Sequence, residues 1–246
     1  MAGNWKMYKT PQETARFFER FRPLLNGDYG CEVVIFPASI DIPAAVSAVA
    51  GTSIRIGGQN LYWAKEGAYT GEISAAMLNA AGAIWVLVGH SERRHHVAHE
   101  TDADVLKKTQ AAVAAGLTPI VCVGECLEEH KAGKAHEVLI RQFAGGIAGL
   151  TEEQFARIVI AYEPVWAIGT GHTATPEIAS KAHTLIRSEA EKRFGEDAAN
   201  RLRILYGGSV KPDNIHGLMK EPEIDGTLVG GASLDPESFA KIVEAA

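Results

Sequence analysis

The sequence predicts an α/β fold of repeated strand–helix units, as an eight-stranded (β/α)8 barrel or, second, an open doubly wound parallel sheet. Three observations carry this. Short apolar, β-branched runs alternate with helical stretches along the whole chain. They number about eight, which is what a barrel needs. Most lack strict polar alternation, as expected for parallel strands buried on both faces.

The first run, residues 2–7, is the weakest. A helix then opens at Thr10-Pro11-Gln12-Glu13, a capping box with proline at the first helical position. Runs at 32–36, 54–58 and 84–88 follow, with a long loop at 60–72. An amphipathic helix is predicted from Thr101 to Ala115, ended by Gly116. After the runs at 119–123 and 158–162, Thr175-Pro176-Glu177 opens a helix that stops near Phe194-Gly195. Runs at 202–206 and 227–230 precede the last helix, opened by Asp235-Pro236-Glu237. No linker, low-complexity tract or shift in composition divides the chain, so residues 1–246 read as one domain.

Composition excludes several classes. With 46% hydrophobic and 22% charged residues, disorder is excluded as the main state. A net charge of −6 with dispersed Lys and Arg argues against a broad nucleic-acid surface. Three cysteines cannot pair completely, which argues for a reducing compartment. No apolar run is long enough to span a membrane, and residues 1–6 do not open a signal peptide. The expectation is a cytoplasmic protein without membrane or nucleic-acid partners.

In either fold, ligand chemistry belongs at the C-terminal ends of the strands. The polar residues fall there. Gly89-His90-Ser91-Glu92 follows the fourth run, Glu163 the sixth, Gly207-Gly208-Ser209 the seventh, and Gly230-Gly231 closes the eighth. Asn4 and Lys6 would share one face of the first strand at a period of two. The two glycine clusters read as an anion site built from backbone N–H groups. Glu163 suits a general base, and His90 suits a donor to a carbonyl. Lys6 needs an anion or a carboxylate nearby, and Glu92 could supply it. Together these suggest proton abstraction beside a carbonyl in a small phosphorylated substrate. The apolar segment 164–174 is long for a loop of its kind and reads as a lid. Its G-x-G-x-x-A pattern does not turn directly from strand into helix, so a dinucleotide reading is disfavoured. His95, His96, His99 and Glu100 lack zinc-site spacing, and no metal is expected. Tyr62, Trp63 and Tyr69 on the 60–72 loop point to a partner surface.

The chain resembles the triosephosphate isomerases from residue 2 to its end. The stretches that carry the resemblance are AGNWKM at 2–7, Gln59-Asn60, GAYTGEIS at 67–74, GHSERR at 89–94 and CVGE at 122–125. They continue with AYEPVWAIGTGHTA at 161–174, YGGSV at 206–210 and DGTLVGGASL at 225–234. The resemblance implies a TIM barrel, a homodimer and cofactor-free interconversion of glyceraldehyde 3-phosphate and dihydroxyacetone phosphate in glycolysis and gluconeogenesis. Glu163 would be the base, His90 the neutral electrophile, Lys6 and Asn4 the groups facing the substrate oxygens, and Glu92 a support. Backbone around Gly169, Ser209, Gly230 and Gly231 would hold the phosphate. Thr70 would reach the partner's site near its Lys6.

Departures from the family pattern are expected to matter locally. Fewer residues than usual precede AGNWKM, so a short first strand is expected. His172 stands where the lid usually ends in Lys, which would make lid dynamics respond to pH. Tyr8 replaces a common Asn, with no chemical consequence expected. Residues 95–99 run one residue longer than usual. The competing readings are an isomerase of a larger phosphosugar and a phosphate-ligand binding protein without catalysis. The narrow lid motif argues against the first, and Lys6, His90 and Glu163 together argue against the second.

Overall fold

Eight parallel strands hydrogen-bond in chain order and close on themselves in the computed structural model, which describes residues 1–25, 29–168 and 173–245. The strands are β1 (Ala2–Asn4), β2 (Val34–Phe36), β3 (Arg55–Gly58), β4 (Trp85–Val88), β5 (Thr118–Val123), β6 (Val159–Tyr162), β7 (Ile204–Tyr206) and β8 (Gly226–Val229). Closure is made by β1, whose Ala2 lies opposite Val34 of β2 on one side and Leu228 of β8 on the other. An open doubly wound sheet would leave two edges, so that alternative is excluded.

The predicted strands are all present, each within two residues of the expected start. The first ends early. It stops at Asn4, not Met7, yet pairs on both sides over its short length.

Alternate strand residues face two cores. Phe36, Leu87, Ile120, Cys122, Ala161 and their neighbours fill the barrel interior. Ile35, Val86, Val121, Ile160, Ile204 and Val229 face outward to the helices. Gly57 makes room for Phe36: a Cβ there would stand 2.4 Å from the Phe36 ring. Cys122 packs in this interior, and burial pushes its thiol well up.

The helices are α1 (Pro11–Phe21), α2 (Ile42–Ala48), α3 (Ala75–Ala80), α4 (Asp102–Ala114), α5 (Leu127–Lys131), α6 (Ala135–Gly146) and α7 (Glu152–Phe155). They continue with α8 (Pro176–Phe194), α9 (Glu196–Arg201), α10 (Ile215–Leu218) and α11 (Pro236–Glu244). Four of the starts carry the caps the sequence predicts. Thr10 and Glu13 bond reciprocally at α1, as Thr101 and Asp104 do at α4. Thr175 caps α8 and Asp235 caps α11, each just before proline. Among the described residues, no helix is long and apolar enough to cross a membrane.

Candidate active site

The C-terminal strand ends gather the expected polar residues around one cavity of about 660 Å³. Asn4, Lys6, His90, Glu163, Ser209, Gly230 and Gly231 all line it.

Lys6 arrives there by a route that period-two spacing does not describe. The strand has already ended, and Lys6 sits in the left-handed region at φ 52°. Three bonds hold this strained backbone. The Lys6 N–H donates to Asn4 Oδ1 at 3.0 Å, and Gln59 Nε2 donates to the carbonyls of Lys6 at 2.7 Å and Phe36 at 2.9 Å. The Lys6 ammonium then meets the Glu92 carboxylate at 2.6 Å, the partner expected for it.

His90 is aimed by the turn before it. Gly89 has φ 70°, and Arg94 fixes that turn by donating to the Gly89 carbonyl at 2.8 Å and to that of Cys122 at 3.1 Å. Beyond His90 the chain starts a helical turn whose free N–H groups point back at the site. Glu92 N–H donates to His90 Nδ1 at 3.2 Å, and Ser91 N–H donates to Glu163 Oε2 at 2.8 Å. The other imidazole nitrogen, Nε2, lies 2.9 Å from Glu163 Oε1.

These contacts set the protonation states. Glu163 is 2% exposed, and burial alone would raise its pKa. The His90 contact and the Ser91 N–H outweigh burial and hold the carboxyl below the usual glutamate range. Burial disfavours a charged His90, while the adjacent Glu163 carboxylate favours one and raises its pKa. Nδ1 nevertheless has no room for a second proton, because it already accepts the Glu92 N–H. The geometry is that of neutral imidazole with its proton on Nε2, donated to Glu163. Such a pair presents an ionised base and a neutral hydrogen-bond donor to the same small volume.

The opposite wall of the cavity is backbone. Ser209 is fixed by Asn214, whose Nδ2 donates to the Ser209 carbonyl at 3.0 Å. Gly231 opens a 3-10 turn, Gly231–Leu234, with nothing near the position of a Cβ. Trp5 ties that turn to β1 by donating from Nε1 to the Ser233 carbonyl at 3.0 Å. Unencumbered backbone at a helical start suits a phosphate. Gly169 and His172 lie outside the described residues.

A sequence model of the triosephosphate isomerase family matches residues 1–246. A triosephosphate isomerase of Solibacter usitatus is 64% identical over 99% of this chain and 97% of its own length. The chain belongs to the triosephosphate isomerase family. Relatives of the same name from Citrifermentans bemidjiense and Caldanaerobacter subterraneus subsp. tengcongensis are 51% and 49% identical over 99% of this chain, covering 96% and 97% of their own lengths. As a member of the family, the chain is an intramolecular isomerase that interconverts triose phosphates in glycolysis.

Two supports of this triosephosphate isomerase family site have no role that local sequence reveals, Gln59 and Glu125, although both lie in stretches that carry the resemblance. Glu125, 1% exposed, accepts from Trp166 Nε1 at 2.6 Å and from the Tyr162 hydroxyl at 3.1 and 3.2 Å. Its place just past β5 was a usable signal, since the same rule picked out Glu163. Glu100, in the histidine-rich stretch, pairs with Arg93 and, at 2.6 Å, with Lys108. The segment that follows His90 forms a π-helical turn, Arg93–Val97, closed by Ala98 N–H donating to the Arg93 carbonyl. The loop aromatics are less open than expected: Tyr62 stacks on Trp63 at 4.1 Å and lies 4.4 Å from Tyr69, which stays 45% exposed.

Proposed function

We propose that Glu163 is the base that carries the proton between the two reacting carbons of glyceraldehyde 3-phosphate and dihydroxyacetone phosphate. The 2.9 Å contact between Glu163 and His90 carries this reading. A substrate seated between them replaces that contact on both sides. The carboxylate then faces a carbon-bound proton next to the carbonyl, and the Nε2–H of His90 faces the carbonyl oxygen. Removing the proton leaves an enediolate, whose oxygens are met by His90, Asn4 and the Lys6 ammonium. Returning the proton to the neighbouring carbon completes the exchange without a cofactor. Glu92 holds Lys6 in place at 2.6 Å. Ser209, Gly230 and Gly231, with Gly169, bind the phosphate through backbone N–H groups.

The reading extends to a cytoplasmic homodimer. A smaller cavity of about 330 Å³ shares Asn4, Lys6 and His90 with the main one and is lined also by Glu92 and Gln59. Thr70 of a second copy, presented on the exposed tip of the 60–72 loop, would enter it.

The test is kcat/KM for glyceraldehyde 3-phosphate in the native chain and in Glu163→Gln. The expected native value approaches the diffusional ceiling of about 10⁸–10⁹ M⁻¹s⁻¹. The variant should lose about 10²–10⁴-fold, mainly in kcat. A folded variant with near-native turnover would overturn the assignment of the base.

A further inference from the structure

A helix on the outside of the barrel reaches the base through one backbone residue. Gln142 on α6 is 2% exposed. Its amide is used twice on the same partner: Oε1 accepts the Gly124 N–H at 2.7 Å, and Nε2 donates to the Gly124 carbonyl at 3.1 Å. Pairing both polar groups of one residue imitates a strand ladder. It therefore continues the guidance of β5 one residue beyond the strand's end at Val123.

Gly124 is where the segment carrying Glu163 rests. The Glu163 N–H donates to the Val123 carbonyl at 2.7 Å, and the Val165 N–H donates to the Glu125 carbonyl at 3.1 Å. Between these bonds the two chains are in direct contact. A Cβ on Gly124 would stand 1.7 Å from the Glu163 carbonyl oxygen and 3.2 Å from its Cα. Nothing can be interposed, so a displacement of Gly124 passes directly to the backbone of Glu163. On its far side Glu163 is limited too: a Cβ on Gly207 would lie 2.9 Å from its Cγ.

We infer that Gln142 is a positioning residue for Glu163, acting through its paired bonds to Gly124. The inference rests on Glu163 being the base. Reacting groups tolerate little error, and a misplacement of about 1 Å can cost about 10²-fold in rate. The phosphate wall, built from Ser209, Gly230 and Gly231, is not part of this seam.

The experiment compares Gln142→Met with Phe143→Leu. The first removes both bonds at nearly constant volume. The second disturbs the next residue of the same helix, a 3% exposed core position whose apolar side chain cannot hydrogen-bond to Gly124. Tm, kcat, KM and the acid limb of kcat/KM are measured for each. Both variants are expected to lose Tm. Gln142→Met alone should lose about 10–100-fold in kcat with KM changed less than about threefold. Its acid limb should move upward, because a displaced carboxylate leaves the Ser91 N–H and His90. Native-like kcat and acid limb in Gln142→Met would overturn the inference, as would equal kcat losses in the two variants. Should Gln142→Met not fold, Gln142→Glu, which keeps an acceptor for the Gly124 N–H, is held to the same criteria. Near-native turnover in Glu163→Gln would instead remove the base reading itself, whatever Gln142 does.

Discussion

His90 and Glu163 touch across the barrel mouth, with the imidazole Nε2 lying 2.9 Å from the carboxylate Oε1. Each group therefore shapes the ionisation of the other before any substrate arrives.

Replacing His90 with Gln should lower kcat/KM by about 10²-fold or more and move its acid limb to higher pH. The sign follows from what remains. Burial pushes the Glu163 carboxyl up, and only the His90 contact, the Ser91 N–H and Lys6 oppose it. In the native protein the carboxyl stays below the ordinary value of 4.5, so Glu163 is ionised at neutral pH. Activity on that limb is lost only as pH falls through the depressed value. A profile in which the variant's acid limb coincides with the native one would contradict this coupling.

His183 predicts a pH-dependent stability unrelated to catalysis. Burial depresses its folded pKa to about 4, and Nδ1 is bonded to the Glu223 carbonyl at 2.9 Å. The unfolded chain takes up the proton near pH ~6.5, well before the folded one does. Stability from this group is thus complete above about pH 6.5 and is lost as pH falls toward about 4, by about 3 kcal/mol in all. Urea unfolding of the native chain and of His183→Leu across this window should give a flatter dependence in the variant. Parallel curves would reject the assignment.

Thr70→Asp tests the second copy. A charge carried into the smaller cavity would be desolvated beside Glu92, whose carboxylate is already held by Lys6. Sedimentation should show a shift from dimer to monomer, with kcat/KM falling at least about tenfold. Unchanged mass and unchanged rate together would sink the proposed interface.

Much of the site was legible because parallel strands deliver chemistry at one end. Glu163, His90, Ser209, Gly230 and Gly231 follow from that rule, Asn4 from the face of the first strand, and the barrel's order from the alternation of runs and capped helices. What escaped had non-local causes. Lys6 was placed on a strand because spacing carries no record of Gln59, which lies far along the chain and holds the turn open. Gln142 looked like any polar residue on a helix. Its meaning depends on where Gly124 comes to rest, and no local pattern encodes that.

The π-helical turn at Arg93–Val97 has a consequence for how this chain can vary in length. Its closing bond, from the Ala98 N–H to the Arg93 carbonyl, spans five residues, so the turn is wider than an α-helical one. Within it Arg94 grips Gly89 and Cys122, and beyond it Glu100 meets Lys108. The wider turn works as an expansion joint, where an insertion can settle without propagating into the reacting groups a few residues away.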